Sequence, residues 1–246
     1  MKKTATARRI KKGYVTRMFA GISPNYDLVN SVTSLFIDHY WRFRAFKALG
    51  PASKGLVLDL CAGTLALSLS MLSRATGRVI ALDISLEMLL TGLSRHKRRP
   101  ELKRLAPVCS DGERLPFMND TFDGVMVAFG IRNLSDLQKG LRELSRVIRN
   151  GGRLVILEFS RPGMPLFATL YRFYLSKVLV PIGGALTGDR DAYQYLAHSI
   201  YEFYSPEEVA SLIGNAGFSK IKTTSLTLGC VTLYQADKMC DGYQDF

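Results

Sequence analysis

A chain of 246 residues with 47% hydrophobic and 22% charged content has the composition of a globular protein with a sizeable core. Its formal net charge of +12 points to an anionic partner, either nucleic acid or an acidic membrane surface. No run reaches the roughly 18 apolar residues of a spanning helix, the basic N-terminus lacks a signal-peptide core, and Cys61, Cys109, Cys230 and Cys240 lack metal or disulfide-framework spacing. Reduced thiols in a cytoplasmic protein are therefore expected.

Residues 1–26 contain no acid and carry Lys2, Lys3, Arg8, Arg9, Lys11, Lys12 and Arg17. Such a run reads either as a solvated tail or as a tether to anionic lipid, where each base contributes about 1 kcal/mol. Residues 27–49 read as helical, with Leu28, Val32, Leu35 and Phe36 on one face and Trp41, Phe43 and Phe46 beyond. This N-terminal layer is expected to pack over a nucleotide site.

That site begins at Leu56 to Leu60, an apolar run with one acid, Asp59, near its end. The small residues Cys61, Ala62, Gly63 and Thr64 follow, then a helix-competent run from Leu65 to Leu72. A second apolar run, Val79 to Leu82, ends in Asp83 and Ile84. Strand, small-residue turn, helix and acid-ended strand is how an open α/β sheet holds a nucleoside, the acid accepting from ribose hydroxyls. A plain βαβ unit is the alternative. A dinucleotide requires G-x-G-x-x-G for its pyrophosphate, and one glycine in this turn does not supply it. S-adenosylmethionine carries no phosphates and tolerates a looser loop, with Asp59 reaching its methionine end.

Val108 and Cys109 read as a third strand, followed by Asp111 and Gly112 where an acid can meet the adenine amino group. Asn119-Asp120 marks a turn, and Phe122–Phe129 reads as a central fourth strand. A helix over Ser135–Arg149 places Leu137, Leu141, Leu144 and Ile148 on one stripe, with Asn150-Gly151-Gly152 as its cap. Arg153–Phe159 reads as the fifth strand. Five strands alternating with helices predict a doubly wound, mostly parallel α/β sheet in one domain spanning residues 1–246.

Residues 164–187 leave this rhythm: they contain no acid, and Pro165 and Pro181 bracket about fifteen helix-competent positions, too few to cross a bilayer. They read as a buried helix or as an apolar lid against a membrane or greasy substrate. Tyr193, Leu196, Ala197, Ile200, Tyr201 and Tyr204 share a helical face near His198, and a lone histidine there reads as structural or catalytic. Ser205-Pro206-Glu207-Glu208 is a capping box that starts a helix ending at Gly217. The remainder alternates as two antiparallel β segments turning near Gly229.

FGIRNLSD, residues 129–136, closely resembles the signature of the ubiquinone/menaquinone biosynthesis C-methyltransferases. The resemblance extends over MFAGISPNYDLVNSVTSLFIDHYWR, DGERLPF, EFSRP, the Tyr193 to Ser199 stretch and the closing LTLGCVTLYQADK, in order. It implies a class I methyltransferase fold, Rossmann-like, with an antiparallel C-terminal strand, an N-terminal helical layer and an inserted helical lid. It implies methylation of a ring carbon of a polyprenylated benzoquinol or naphthoquinol by S-adenosylmethionine.

On this resemblance the cofactor contacts fall at Asp59, Ala62, Gly63, Thr64, Asp83, Ile84, Asp111, Gly112 and Ala128. Tyr26, Arg132, Asn133 and Tyr201 are expected at the quinol, with Arg132, Asn133 and His198 as catalytic candidates and no metal. The first loop departs from the family: Leu65 and Ala66 stand where Gly-Asp is usual. The leucine is expected to narrow the pocket and the missing acid to remove a polar partner.

Carbon methylation needs a nucleophilic ring carbon in line with the sulfonium methyl. Loss of a quinol hydroxyl proton supplies it, with Arg132 stabilising the phenolate and water, His198 or a tyrosine taking the proton. A bilayer-borne tail implies peripheral association with an anionic membrane, through the basic N-terminus and residues 164–187. A homodimer or a quinone-biosynthesis complex completes the expected partners. A nucleic-acid methyltransferase also suits the charge, but an Asn/Asp-Pro-Pro-aromatic motif is absent after the fourth strand. A non-catalytic quinol-binding scaffold with a degraded cofactor loop is the other rival, and an NAD-dependent oxidoreductase lacks its glycine fingerprint.

Overall fold

The computed structural model describes the backbone of residues 5–239 and the side chains from Lys12 to Met239. Lys2, Lys3, the side chains of Arg8, Arg9 and Lys11, and the polar tail 240–246 lie outside what is described. Three helices, α1 (Ala5–Ile22), α2 (Tyr26–Thr33) and α3 (Ile37–Leu49), precede β1 (Leu56–Leu60). Next come α4 (Ala66–Leu72), β2 (Arg78–Asp83), α5 (Leu86–His96), β3 (Leu105–Cys109) and β4 (Phe122–Ala128). After α6 (Leu137–Val147) and β5 (Ile148–Phe159) come α7 (Pro165–Tyr174), α8 (Val180–Thr187) and α9 (Arg190–Tyr201). The chain ends in α10 (Pro206–Asn215), β6 (Phe218–Leu226) and β7 (Val231–Lys238).

The apolar runs pair as one seven-stranded sheet in the order β3-β2-β1-β4-β5-β7-β6. Strands β1 to β5 are parallel, and β7 runs antiparallel between β5 and β6. The predicted doubly wound sheet with an antiparallel closing strand is thus what forms. Pro107 sits in β3, an edge strand that can spare a ladder donor. Strand side chains alternate between faces. Leu58, Leu60, Val125 and Val127 join α6 and α10 in one core, while Val57, Val79, Ala81, Met126 and Val155 join α3 and α4 in the other. Ser205 and Glu208 form the predicted reciprocal cap, Oγ accepting from the Glu208 amide at 3.2 Å and Oε2 accepting from the Ser205 amide at 2.7 Å.

Four local expectations give way to packing. The basic N-terminal stretch is helical, because Val15, Met18 and Ile22 recur on one face and are buried. The helix over 27–49 breaks at Leu35 (φ 51°) and Phe36 (φ 61°). Its Leu28, Val32, Leu35 and Phe36 face is exposed, whereas Val29 is buried. The helix after Asp136 ends at Val147 because the chain enters β5 at Ile148, so Asn150-Gly151-Gly152 lies within the strand. The segment 164–187 forms α7 and α8 joined without a break by a π turn, Leu175–Leu179, and Pro181 follows that turn, where the regular helical hydrogen-bond ladder is already interrupted. Tyr193 presses on Gly183, where a Cβ would lie 2.4 Å from its ring, so only glycine fits. No helix among the described residues is long and apolar enough to cross a membrane.

Candidate active site

Strand order reverses between β1 and β4, and the carboxyl ends of these neighbouring strands open the crevice where ligands bind in doubly wound sheets. Backbone strain collects there. Cys61 (φ 58°), Leu65 (φ 70°) and Phe129 (φ 58°) are all left-handed. A Cβ on Gly130 would lie 2.4 Å from that of Cys61, so the Gly130 backbone packs directly on the Cys61 side chain. Burial raises the Cys61 thiol pKa well above its ordinary value.

Asp83 holds the loop in shape: it accepts from the Gly63 amide at 2.8 Å and the Ser85 amide at 2.9 Å. Burial raises its pKa against the pull of those amides. Asp59 is 1% exposed; one oxygen accepts from Ser68 Oγ at 2.6 Å, while Oδ1 has no hydrogen-bond partner. Burial pushes its pKa up to about 7. An orphaned buried acceptor at this strand end is a place for a ligand donor. The Ala62 amide donates to Leu82 O at 3.0 Å. Thr64 turns its hydroxyl to Asp27 of α2, at 2.5 Å, and Asp27 also pairs with Arg95 at 2.7 Å.

Two cavities flank this strand end. The smaller, about 50 Å³, is lined by Cys61, Asp83, Ile84, Asp111, Gly112 and Asn133, with Lys12 and Val15 of α1 over it. Lys12 pairs with Asp111. The larger, about 230 Å³, lies beneath α1, α2 and α7 to α9. Its floor is aromatic: Phe129 and Phe159 stack at 4.5 Å between ring centres, and Trp41 meets them edge-on at 5.9 Å and 6.2 Å. The Arg132 guanidinium lies 5.3 Å above Phe159, and Arg42 lies 6.0 Å from Phe129.

Consecutive residues of the turn Ile131–Asn133 face the two cavities: Arg132 lines the larger and Asn133 the smaller. Arg132 pairs with Glu158 of β5 at 2.7 Å and donates to Phe129 O at 2.5 Å. Burial opposes its charge, but Glu158 and Tyr26 outweigh that and raise the pKa. Asn133 accepts from the Tyr195 hydroxyl at 3.2 Å, and Tyr195 itself lines the larger cavity. Tyr26 also lines that cavity, and burial raises its pKa.

Other predicted residues sit elsewhere. His198 is exposed and lines neither cavity, because α9 turns Tyr193, Leu196 and Ile200 inward instead. Tyr201 points to α7, donating to Ala168 O at 3.5 Å under the Arg172 guanidinium. Ala128 packs partly buried in the core. Leu65 is fully buried against Leu67 and Leu89 and lines neither cavity, so it does not narrow them. Sequence reasoning passed over Glu158, Trp41, Arg42 and Tyr174. For Glu158 the signal existed: a lone acid in an apolar strand, as for Asp59. Among the described residues no group of side chains could hold a metal ion.

Residues 7–238 match the model of the ubiE/COQ5 methyltransferase family. The chain belongs to this family. A demethylmenaquinone methyltransferase of Mycolicibacterium paratuberculosis is 42% identical over 224 residues, covering 91% of this chain and 94% of that protein. A ubiquinone/menaquinone biosynthesis C-methyltransferase, UbiE, of Citrifermentans bemidjiense is 39% identical over 226 residues, covering 91% and 96%. In fold, this ubiE/COQ5 family member is similar to a SAM-dependent methyltransferase from Thermotoga maritima, with TM-score 0.65 at 18% identity over 91% of this chain and 99% of that one. It is also similar to Haemonchus contortus phosphoethanolamine N-methyltransferase 2 in complex with S-adenosyl-L-methionine, with TM-score 0.60 at 16% identity over 81% and 52%.

Proposed function

We propose that this methyltransferase transfers a methyl group from S-adenosylmethionine to a ring carbon of a polyprenylated quinol. The observation that carries the reading is the Arg132–Asn133 turn, whose two side chains face the Asp83–Asp111 crevice at the strand ends on one side and an aromatic cavity on the other. The curated relatives are named for quinone methylation, and their near-complete overlap with this chain supports the same substrate class.

When bound, S-adenosylmethionine supplies an electrophilic methyl group. Asp83 accepts from its ribose hydroxyls, and Asp59 Oδ1 gains in its amino group the donor it lacks. Gly112 lines the same crevice, packed close enough to Leu60 that a Cβ there would lie 3.0 Å from it. Ile84 shapes the adjoining wall, Ala62 and Gly63 stand behind it in the loop that Asp83 holds, and Asp111 accepts from the adenine once Lys12 releases it.

The quinol ring lies on the Phe129–Phe159 floor. Arg132 stabilises the phenolate, so the hydroxyl proton leaves to water and electron density moves to the ortho carbon. Tyr26 has a raised pKa and acts as a neutral hydrogen-bond donor to a ring oxygen, while Tyr195, also neutral, keeps its hydroxyl proton on Asn133. Asn133, tied to Tyr195, holds that ring in the wall of the quinol cavity.

The cavity mouth supports membrane visiting. Leu166, Leu170 and Phe173 form an exposed stripe on α7, and Leu35 and Phe36 stand exposed at the α2–α3 elbow. Tyr174 of α7 donates to Thr33 O, joining the two prongs around one opening. Apolar prongs beside a basic helix suit a peripheral protein that takes its substrate from the bilayer.

Purified protein given S-adenosylmethionine and short-tailed demethylnaphthoquinol or benzoquinol under reducing conditions should yield the C-methylated ring, read by mass spectrometry. Asp83→Ala should abolish it. Product from neither ring, with the protein folded and binding S-adenosylmethionine, overturns the quinol assignment.

A further inference from the structure

On the other side of the α2–α3 elbow from the larger cavity, α2, α3, α4 and the end of α5 enclose a polar recess of about 350 Å³. Five basic side chains line it: His39, Arg42, Arg74, His96 and Arg99. Two carboxylates share the recess, and both are engaged: Asp38 by Arg42, and Asp27 by Arg95 and Thr64. Among the described residues Arg74 bonds only with the serines beside it, Ser70 and Ser73, and it lies over the Phe43 ring. Arg99 has no carboxylate partner among the described residues. Burial and the Arg99 charge lower the His96 pKa, a push that a bound anion reverses.

Arg74 and Arg99, two guanidinium cations at one concave place without carboxylates of their own among the described residues, repel one another and attract an anion. Serine hydroxyls and guanidinium forks are the donors that suit phosphate oxygens. The recess shares the α2–α3 elbow with the substrate cavity: Ser31 and His39 line one, Ser34, Leu35 and Ile37 line the other, and Asp38 and Arg42 form the wall between them. Leu35 (79% exposed) and Phe36 (61% exposed) project from that elbow.

We propose that this recess is a socket for the phosphate of an anionic phospholipid headgroup, filled when the elbow enters the bilayer. The proposal rests on the membrane-visiting reading above and gives it a fixed point. Apolar prongs without a socket would tolerate any orientation at the surface; a seated headgroup phosphate turns the cavity mouth toward the acyl chains.

The test uses the full chain, with vesicles of phosphatidylcholine with or without phosphatidylglycerol, and soluble dihexanoyl-phosphatidylglycerol as monomer. Arg74→Ala/Arg99→Ala should weaken binding to the anionic vesicles by about 30-fold, the loss of two surface bases, while S-adenosylmethionine affinity is unchanged. The exposed pair Lys220→Ala/Lys222→Ala on β6 should change vesicle binding little. The monomeric lipid should shift the His39 and His96 ring resonances saturably in the wild type and not in the arginine variant. An arginine variant that binds like the wild type, or no better resisted than the lysine control, overturns the socket while leaving membrane visiting intact. Equal shifts from inorganic phosphate, with vesicle binding unaltered in the variant, overturn the lipid as occupant. Wild-type protein that binds neither vesicle overturns the membrane reading as well.

Discussion

Arg132 and Glu158 meet at 2.7 Å with their side chains 3% and 1% exposed, so a full ion pair is buried at the wall of the aromatic cavity. Glu158 also accepts from the Arg132 amide at 3.2 Å and the Phe159 amide at 2.8 Å, which fixes the arginine against β5. Removing one partner of such a pair leaves the other charged and desolvated, at about 3–5 kcal/mol. Glu158→Ala should lose that much stability in urea unfolding. Arg132→Lys keeps the charge but not the planar fork, and should lower turnover far more than S-adenosylmethionine affinity. Equal loss of both in a folded Arg132→Lys protein would sink a role confined to the quinol.

Asp59 binds its proton more tightly in the folded chain, with a pKa near 7, than in the unfolded one, near about 4. The folded state therefore holds the extra proton between those values, and stability falls as pH rises through that window. The fall is on the order of 4 kcal/mol and ends above about pH 7. Urea midpoints across this range should show it, and Asp59→Asn should flatten it. A ligand ammonium beside Oδ1 reverses the preference, so S-adenosylmethionine binding near pH 6 should release a proton in the wild type alone. Calorimetry in buffers of different ionisation enthalpy reads that release.

The parts of the site legible in the sequence are those with a local signature. Asp59 and Asp83 announce themselves as acids ending apolar strands, and the Arg132–Asn133 turn lies in a distinctive stretch. The aromatic cavity has no such signature, because Trp41, Phe129, Phe159 and Tyr174 come from four separate elements and meet only on folding. On α9 the helical period places a face to within about a residue, which was too coarse to separate Tyr193 and Ile200, turned inward, from His198 and Tyr201. Periodicity found the apolar face of α2 as well. It does not say what such a face meets, and here Leu28, Val32 and Leu35 meet no core.

Leu65 is fully buried yet holds φ 70°, a conformation that glycine adopts freely and leucine does not. A Cβ on Gly92 would lie 2.7 Å from the Thr64 carbonyl oxygen and 2.8 Å from Leu65 Cγ, so α5 clamps the strained turn from above. Core packing thus offsets backbone strain. Leu65→Ala should cost about 2–5 kcal/mol, as for other buried leucines. Leu65→Gly loses the same side chain but relieves a left-handed penalty of about 1–2 kcal/mol. It should therefore be the more stable of the two in thermal or urea unfolding. The opposite order would mean that the turn is not held left-handed in solution.

Lys12 of α1 pairs with Asp111 across the mouth of the smaller cavity, and with Val15 it covers a space of about 50 Å³. A nucleoside needs more room than that, so α1 must move aside before the cofactor enters. The pair is about one-third exposed on each side, which limits its worth to about 1 kcal/mol or less. Lys12→Ala lowers the cost of moving the helix and frees the Asp111 carboxylate for the adenine. S-adenosylmethionine should then bind up to about fivefold more tightly, chiefly through a faster association rate. Stopped-flow fluorescence of Trp41, at the edge of the neighbouring cavity, can follow it. Weaker binding in Lys12→Ala would instead make the lysine a direct cofactor contact, with α1 a fixed wall of the site.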